Sequence, residues 1–367
     1  MTAKLTPLVQ SLPSTVPFVG PEHQERARGA AFTARLGANE SVFGPAPGVI
    51  EAMRTAAPDQ WMYCDPNIHD LRQALAAHHG LPPESLVIGE GIDGLFGYVN
   101  RLFVGPGDKV VTSLGAYPTF NYHVNGYGGE LITVPFRDDH EDLDALAAAA
   151  AEHRPKLVYL SNPDNPMGTW HSAGKVQALI EAMPEGTLLC LDEAYIEFAP
   201  EGTAPAWDPE DRRVIRFRTF SKAYGLAGLR IGYAVAHPET ALAFDRIRNH
   251  FGVSRIAQQA AIAALADGAY LASVAADVAA ARDAIARISV ENGLAPLPSA
   301  TNFVTIDCGR DGDFARAVLA GLIEQGIFAR MPGVPPQDRC IRVSAGRADD
   351  LAAFAAALPA ALANASK

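Results

Sequence analysis

Short apolar runs alternate with amphipathic stretches from about residue 45 to residue 237. The runs Ser85–Gly89, Lys109–Ser113, Glu130–Pro135, Lys156–Leu160, Thr187–Asp192, Arg213–Arg218 and Arg230–Ala236 read as buried strands. Helical periodicity fills most of the gaps, as in Leu143–Glu152 and Lys175–Met183. Continuous apolar strands separated by helices predict an α/β domain with a mostly parallel seven-stranded sheet covered on both faces. After His237 the pattern changes. An alanine-rich helical stretch runs from about Ile256 to Asn292, followed by strands at Thr301–Asp307 and Cys340–Ser344. A helix at Asp313–Gln325 lies between those strands, and a last helix follows Arg347. This predicts a second, smaller α+β domain. The expected division is an N-terminal arm at 1–44 that joins the smaller domain, a large domain at 45–245 and the small domain at 246–367. The first 29 residues of the arm carry no clear period and read as loop.

Composition narrows the chemistry. With 367 residues, 49% hydrophobic and 19% charged, the chain can bury two cores and is not disordered. A net charge of −11 argues against nucleic acid as a partner. Met1–Gly20 shows no export-signal pattern, and no apolar run approaches the roughly 20 residues that span a bilayer, so no membrane association is expected. Cys64, Cys190, Cys308 and Cys340 are far apart and form no CxxC pair, which fits a reduced, cytoplasmic protein without a zinc framework. The ten histidines form no HExxH and no helical pair beside a carboxylate, so no metal site is expected. No GxSxG is present to form a nucleophile elbow. Only six of the thirty basic residues are lysine, which draws attention to a lysine inside a patterned segment.

Gly89-Glu90-Gly91-Ile92-Asp93-Gly94 follows a strand and precedes an apolar helix. A dinucleotide site also needs an acid at the end of the next strand, but that strand ends Ser113-Leu114-Gly115. What survives is a glycine turn at a helix N-terminus, suited to a phosphate. Two strand ends carry more. Leu188–Leu191 delivers Asp192-Glu193-Ala194-Tyr195, and Val214–Arg218 leads into Thr219-Phe220-Ser221-Lys222 and on to Arg230. Ligands of parallel sheets bind at that edge. A lysine of lowered pKa attacks an aldehyde, hydroxyls and an arginine suit a phosphate, and an aspartate suits a protonated ring nitrogen. Those are the groups that hold pyridoxal phosphate covalently. Ser161-Asn162-Pro163-Asp164-Asn165-Pro166-Met167-Gly168-Thr169 forms a rigid loop at the same edge and presents Asn165.

Assembled in order, these motifs resemble the fold-type I pyridoxal-phosphate aminotransferases, most closely the histidinol-phosphate aminotransferase branch. The resemblance runs from about Leu36 to about Gly346 and also rests on Ala38-Asn39-Glu40, Tyr63-Cys64-Asp65-Pro66, Asn302-Phe303-Val304 and Arg342-Val343-Ser344. It implies a role for each matching position. Lys222 bonds the cofactor and moves the proton, Asp192 pairs with its ring nitrogen, and Tyr195 and Asn165 hold its ring oxygen. Phe120 stacks on the ring. The backbone N–H groups of Asp93 and Gly94, the hydroxyls of Thr219 and Ser221, and Arg230 hold the phosphate. Tyr63 reaches the phosphate of a second subunit, so a homodimer with shared sites is implied. Arg330 and Arg342, with Asn39, bind the substrate. The implied reaction is transamination of histidinol phosphate with 2-oxoglutarate; an aromatic or other amino-acid aminotransferase, or a decarboxylase of the same fold, is the alternative. Asp164, Met167, Glu90, Gly94 and Asn249–Ser254 depart from the branch pattern and bear on the substrate.

Overall fold

Valine, isoleucine and leucine fill both faces of the central strands, so each must be covered on both sides. The computed structural model describes residues 4–14 and 18–366. Its main sheet contains β1 (Leu86–Gly89), β2 (Lys109–Ser113), β3 (Glu130–Val134), β4 (Leu157–Ser161), β5 (Leu188–Asp192), β6 (Val214–Thr219) and β7 (Gly232–Val235). These correspond to the seven predicted strands. Their order is β1-β7-β6-β5-β4-β2-β3. β7 runs antiparallel to β1 and β6, and the other neighbours are parallel. All residues of β1, β4 and β7 are buried. β3 is an edge strand and stays partly exposed, unlike the buried strand its sequence suggested.

The register sets up the site. Ser161 lies opposite Asp192, and Asp192 opposite Phe217, so the C-terminal ends of β4, β5 and β6 open at one edge. Gly232 pairs with both Thr219 and Gly89, which brings the end of β1 to that edge as well. Beneath it lies an aromatic cluster. Phe96 meets Phe217 at 5.0 Å and Tyr159 at 5.6 Å between ring centroids. Each such side chain contributes roughly 1.5–3 kcal/mol through burial.

Beyond the sheet, β8 (Phe303–Asp307) and β9 (Cys340–Ser344) pair antiparallel, with Thr305 opposite Arg342. Helices Gly312–Glu324 and Ala348–Ala365 pack on each other beside them. The two-residue strand Ala34–Arg35 runs parallel to Ile327–Phe328, which ties the N-terminal segment to these elements.

Two expectations change. The alanine-rich stretch is two helices, Arg255–Leu265 and Gly268–Glu291, meeting at 83°. Asp267 starts the second one by accepting the Tyr270 N–H at 3.0 Å, and an N-cap at that point breaks the run. The N-terminal arm holds helices Pro7–Ser11 and Pro21–Arg28 rather than loop alone. Both start on a proline, whose fixed φ suits the first helical position. Residues 1–3 and 15–17 of the expected arm, and Lys367, lie outside the described residues. All four cysteines are buried free thiols. Among the described residues, no single helix is long and apolar enough to cross a membrane.

Candidate active site

Lys222 follows β6 in a turn that half-buries its side chain. Burial, with Arg342 nearby, lowers its amine to about 8. Its Nζ lies 5.7 Å from the centre of the Tyr195 ring. A buried amine that loses its proton near neutral pH is a nucleophile, whereas a solvated lysine is not.

Asp192 ends β5 and is buried. Oδ2 accepts the Tyr159 hydroxyl at 2.8 Å and Oδ1 the Ala194 N–H at 2.9 Å. Burial outweighs both donors and raises the carboxyl to about 6. An incoming cation would reverse that rise, so the site favours a protonated ring nitrogen opposite Asp192.

Tyr195 stands three residues on. Its oxygen accepts Nδ2 of Asn39 at 3.0 Å and Nδ2 of Asn165 at 3.3 Å. The far ends of both amides fix these orientations. Asn39 Oδ1 accepts the Ser344 hydroxyl at 2.9 Å, and Asn165 Oδ1 accepts Nη1 of Arg342. With both acceptor positions filled, the Tyr195 hydroxyl has only its proton to offer. Burial raises it to about 12, so it keeps that proton.

The N-terminus of helix Gly91–Phe103 faces the same space. Its first N–H groups have no partner inside the helix. Gly94 is one position too far along: the helix takes up its N–H, leaving Gly91, Ile92 and Asp93 as donors in place of the expected Asp93 and Gly94. Gly91 has φ of +77°, and a Cβ there would lie 2.6 Å from Arg230 Nη2. Only glycine therefore lets the guanidinium lie against the helix start. Arg230 Nη2 also lies 3.9 Å from Asp93 Oδ2. The Thr219 hydroxyl donates to Ser221 Oγ at 2.9 Å and accepts the Ser221 N–H at 3.1 Å. Free N–H groups, two hydroxyls and an arginine form a phosphate cradle. With Lys222 and Asp192 at one edge, the residues fit pyridoxal phosphate.

Phe120 was the expected stacking residue. Phe120 is fully buried, with its face on Tyr159 at 4.4 Å and its flank against Phe96 at 5.4 Å. The aromatic toward the site is Tyr117, whose hydroxyl donates to Asp93 Oδ1 at 3.1 Å. Pro118 opens helix Pro118–Gly126, so Tyr117 caps it from outside while Phe120 turns into the core. That proline was the signal in the sequence for telling them apart. Tyr159, the partner of Asp192, was missed because it sits mid-strand like any core residue.

Arg342, on β9, is half-buried and has an unpartnered Nε. Arg330 pairs with it through backbone hydrogen bonds of 3.1 and 2.6 Å. The Arg330 guanidinium donates to the Val19 carbonyl at 2.8 Å and lies over the Phe18 ring at 5.3 Å. Tyr63 is exposed and packs on Phe251 at 4.7 Å. Two of the departures in sequence belong together: Glu90 accepts the Tyr98 hydroxyl at 3.0 Å, Tyr98 accepts the Asn249 N–H at 2.9 Å, and Gly252 sits hard against Glu90.

Residues 33–358 match the family model for aminotransferase class I and II. The chain belongs to that family. Among aminotransferases, it is 37% identical over 332 residues to the histidinol-phosphate aminotransferase of Anaeromyxobacter sp. (strain Fw109-5), covering 88% of this chain and 89% of that one. It is 34% identical over 342 residues to the corresponding enzyme of Moorella thermoacetica, covering 92% and 88%. The crystal structure of histidinol-phosphate aminotransferase from Sinorhizobium meliloti in complex with pyridoxal-5'-phosphate shares 56% identity and superposes with a TM-score of 0.96, covering 99% of this chain and 98% of that one. The aminotransferase fold type I expected from the motifs is the fold of this chain.

Proposed function

We propose that this aminotransferase uses pyridoxal phosphate to transfer the amino group of histidinol phosphate to 2-oxoglutarate, as a cytoplasmic homodimer. The observation that carries the reading is the half-buried Lys222 at one sheet edge with Asp192 and the Gly91–Arg230 cradle, in a chain 56% identical to a histidinol-phosphate aminotransferase of known structure.

When bound, the cofactor supplies an electron-accepting ring conjugated to the substrate nitrogen. Lys222 Nζ would hold the cofactor between turnovers, and its freed amine would take the proton from the substrate Cα and give it back on the far side of the substrate nitrogen. Asp192 keeps the ring nitrogen protonated. Tyr195 donates its hydroxyl proton to the ring oxygen, beside Asn165. The N–H groups of Gly91, Ile92 and Asp93, with Thr219, Ser221 and Arg230, anchor the phosphate. Tyr117 covers one ring face. Arg342 offers its guanidinium to an anionic group, a carboxylate or phosphate it can grip with two hydrogen bonds. Arg330 adds a second cation at the same mouth, which suits a phosphorylated donor, and Asn39 holds Tyr195 in place. Tyr63, exposed on this chain, serves the neighbouring subunit's phosphate.

The test is single-turnover absorbance of the yellow holoenzyme against histidinol phosphate, phenylalanine, tyrosine and glutamate. Fastest conversion to the pyridoxamine form by histidinol phosphate supports the reading. A faster aromatic amino acid, or carbon dioxide release without a 2-oxo acid, replaces it with an aromatic aminotransferase or a decarboxylase.

A further inference from the structure

Behind Asn165 lie two buried carboxyls with too few hydrogens between them. Glu141 is 1% exposed and Asp164 is 2%. Glu141 Oε1 accepts the Ser161 N–H at 2.9 Å, and Oε2 accepts the Ser113 hydroxyl at 2.6 Å. Asp164 Oδ2 accepts the Met167 N–H at 2.7 Å. Asp164 Oδ1 is buried and has no donor, yet the two carboxyls lie within hydrogen-bonding reach of each other. Two carboxylates cannot bond each other, because both only accept. One proton between them resolves the arrangement: it fills the empty place on Asp164 and removes a like-charge contact from a dry interior.

We infer that Asp164 is protonated and donates through Oδ1 to an ionised Glu141, and that this acid–carboxylate pair is a positioning device for Asn165 and Arg342. The proton belongs on Asp164 because Glu141 already has two donors, as an ionised carboxylate wants. Two nearby charges pull the other way, Arg342, from β9, toward an ionised Asp164 and Asp192, from β5, toward a protonated Glu141; the two donors on Glu141 and the donor-less Oδ1 of Asp164 outweigh them. On the other side, the His171 ring contacts the Glu141 carbonyl at 2.8 Å. Burial pushes both carboxyls up, Asp164 further.

The consequence is mechanical. Asp164 bonds Glu141 on one oxygen and the Met167 N–H on the other, so the turn from 164 to 167 is fixed at both ends. Asn165 sits within that turn and sends one amide end to Tyr195 and the other to Arg342. The pair therefore sets the direction of the arginine that grips the substrate anion, a role that rests on the function proposed above.

The first measurement does not depend on turnover. Infrared difference spectra of holoenzyme and Asp164→Asn at neutral pH should show one protonated-carboxyl carbonyl band, sensitive to deuterium, in the wild type only. Its absence from the wild type overturns the shared proton whatever the substrate proves to be. In Asp164→Asn the amide N–H replaces the acid O–H toward Glu141 and the oxygen still accepts from Met167. That variant should keep kcat and KM within about threefold. Asp164→Leu removes both bonds, and KM for the preferred amino donor should rise about tenfold while kcat falls less. A folded Asp164→Leu enzyme with unchanged KM overturns the positioning role. If that variant does not fold, Asp164→Ala, which removes both bonds without added bulk, decides the role: KM should rise in the same sense, and an unmoved KM overturns it.

Discussion

The Tyr159 hydroxyl donates to Asp192 across the parallel pair β4 and β5, at 2.8 Å. It is the one side-chain donor this carboxylate has among the described residues, and it leaves the carboxyl raised to about 6 against an ordinary value of 3.8. The sign for stability follows. Without cofactor, the folded state binds a proton on Asp192 more readily than the unfolded chain does. The destabilisation is absent below about pH 4, grows as pH rises to about 6, and is fully present above. Asp192→Asn removes it, and Tyr159 can turn its hydroxyl to accept from the new amide. The apoprotein of this variant should be more stable than the wild type at pH 8, by on the order of 2–3 kcal/mol, and about equal at pH 4. Turnover should fall by orders of magnitude, because a neutral amide cannot hold a protonated ring. Thermal melts of both apoproteins at the two pH values, with kcat of the holoenzymes, check both halves. Equal melting temperatures at pH 8 would remove the buried-charge account.

Tyr117 and Phe120 are three residues apart and should behave as different kinds of residue. Phe120→Ala empties a space inside the aromatic cluster and should cost roughly 3–5 kcal/mol of stability. Tyr117 only borders that cluster, 6.5 Å from Phe96 between ring centroids, so Tyr117→Ala should lower the melting temperature of the apoprotein less than Phe120→Ala does. Its loss should appear instead as cofactor released on dialysis and a shifted absorbance maximum. Measured side by side, a stable Phe120→Ala with poor cofactor retention would reverse the assignment.

The difference between these two residues shows where reading the sequence stops. The seven central strands were legible because a parallel sheet covered on both faces demands unbroken apolar runs, and β4 and β5 supply them. Lys222, Asp192 and Arg230 stood out in the sequence because their chemistry is unusual at strand ends, and the structure brings them to one sheet edge. Tyr117 was passed over because Pro118, which starts the helix and sets its phase, was read only as part of the motif. Glu141 was not legible, because its partner Asp164 is 23 residues away and only the sheet brings them together. The break at Asp267 was hidden by alanine on both sides, and the short helices of the arm by prolines that read as loop.

Lys222 gives a labelling prediction. Borohydride added to the yellow holoenzyme should fix the cofactor to this residue, found by peptide mass. The amine is lowered to about 8, so it is increasingly unprotonated as pH rises through that value. Reconstitution of apoenzyme with pyridoxal phosphate should therefore be faster at pH 9 than at pH 7, by about an order of magnitude. Label on Lys109 or Lys175 would sink the assignment.

Arg230 and Gly91 make a prediction about the cradle. In Gly91→Ala the new methyl would stand 2.6 Å from Arg230 Nη2, at a φ of +77° that alanine disfavours. The guanidinium must move away from the helix start. Titration of the apoprotein by fluorescence should show pyridoxal phosphate binding weakened at least tenfold, with binding of pyridoxal, which lacks the phosphate, changed far less. Equal weakening of both ligands would mean that the substitution damages the lysine side of the site instead.

Arg330 tests the substrate. Its Nη2 is engaged by the Val19 carbonyl at 2.8 Å and its plane lies near Phe18 and Phe328, at 5.3 and 5.5 Å. Its Nε is buried without a partner, and burial lowers its affinity for a proton. A guanidinium held this way, next to Arg342 on the neighbouring strand, has an unmet need for an anion. A phosphorylated donor brings a doubly charged group that two arginines share. A plain amino acid brings one carboxylate, which Arg342 can hold alone. Arg330→Ala should therefore raise KM for histidinol phosphate by roughly ten- to a hundredfold, and KM for glutamate by no more than about threefold. Arg342→Ala should impair both. Steady-state kinetics of the two variants with both donors separates the roles, and equal small losses for each donor in Arg330→Ala would leave histidinol phosphate without a structural reason to be preferred.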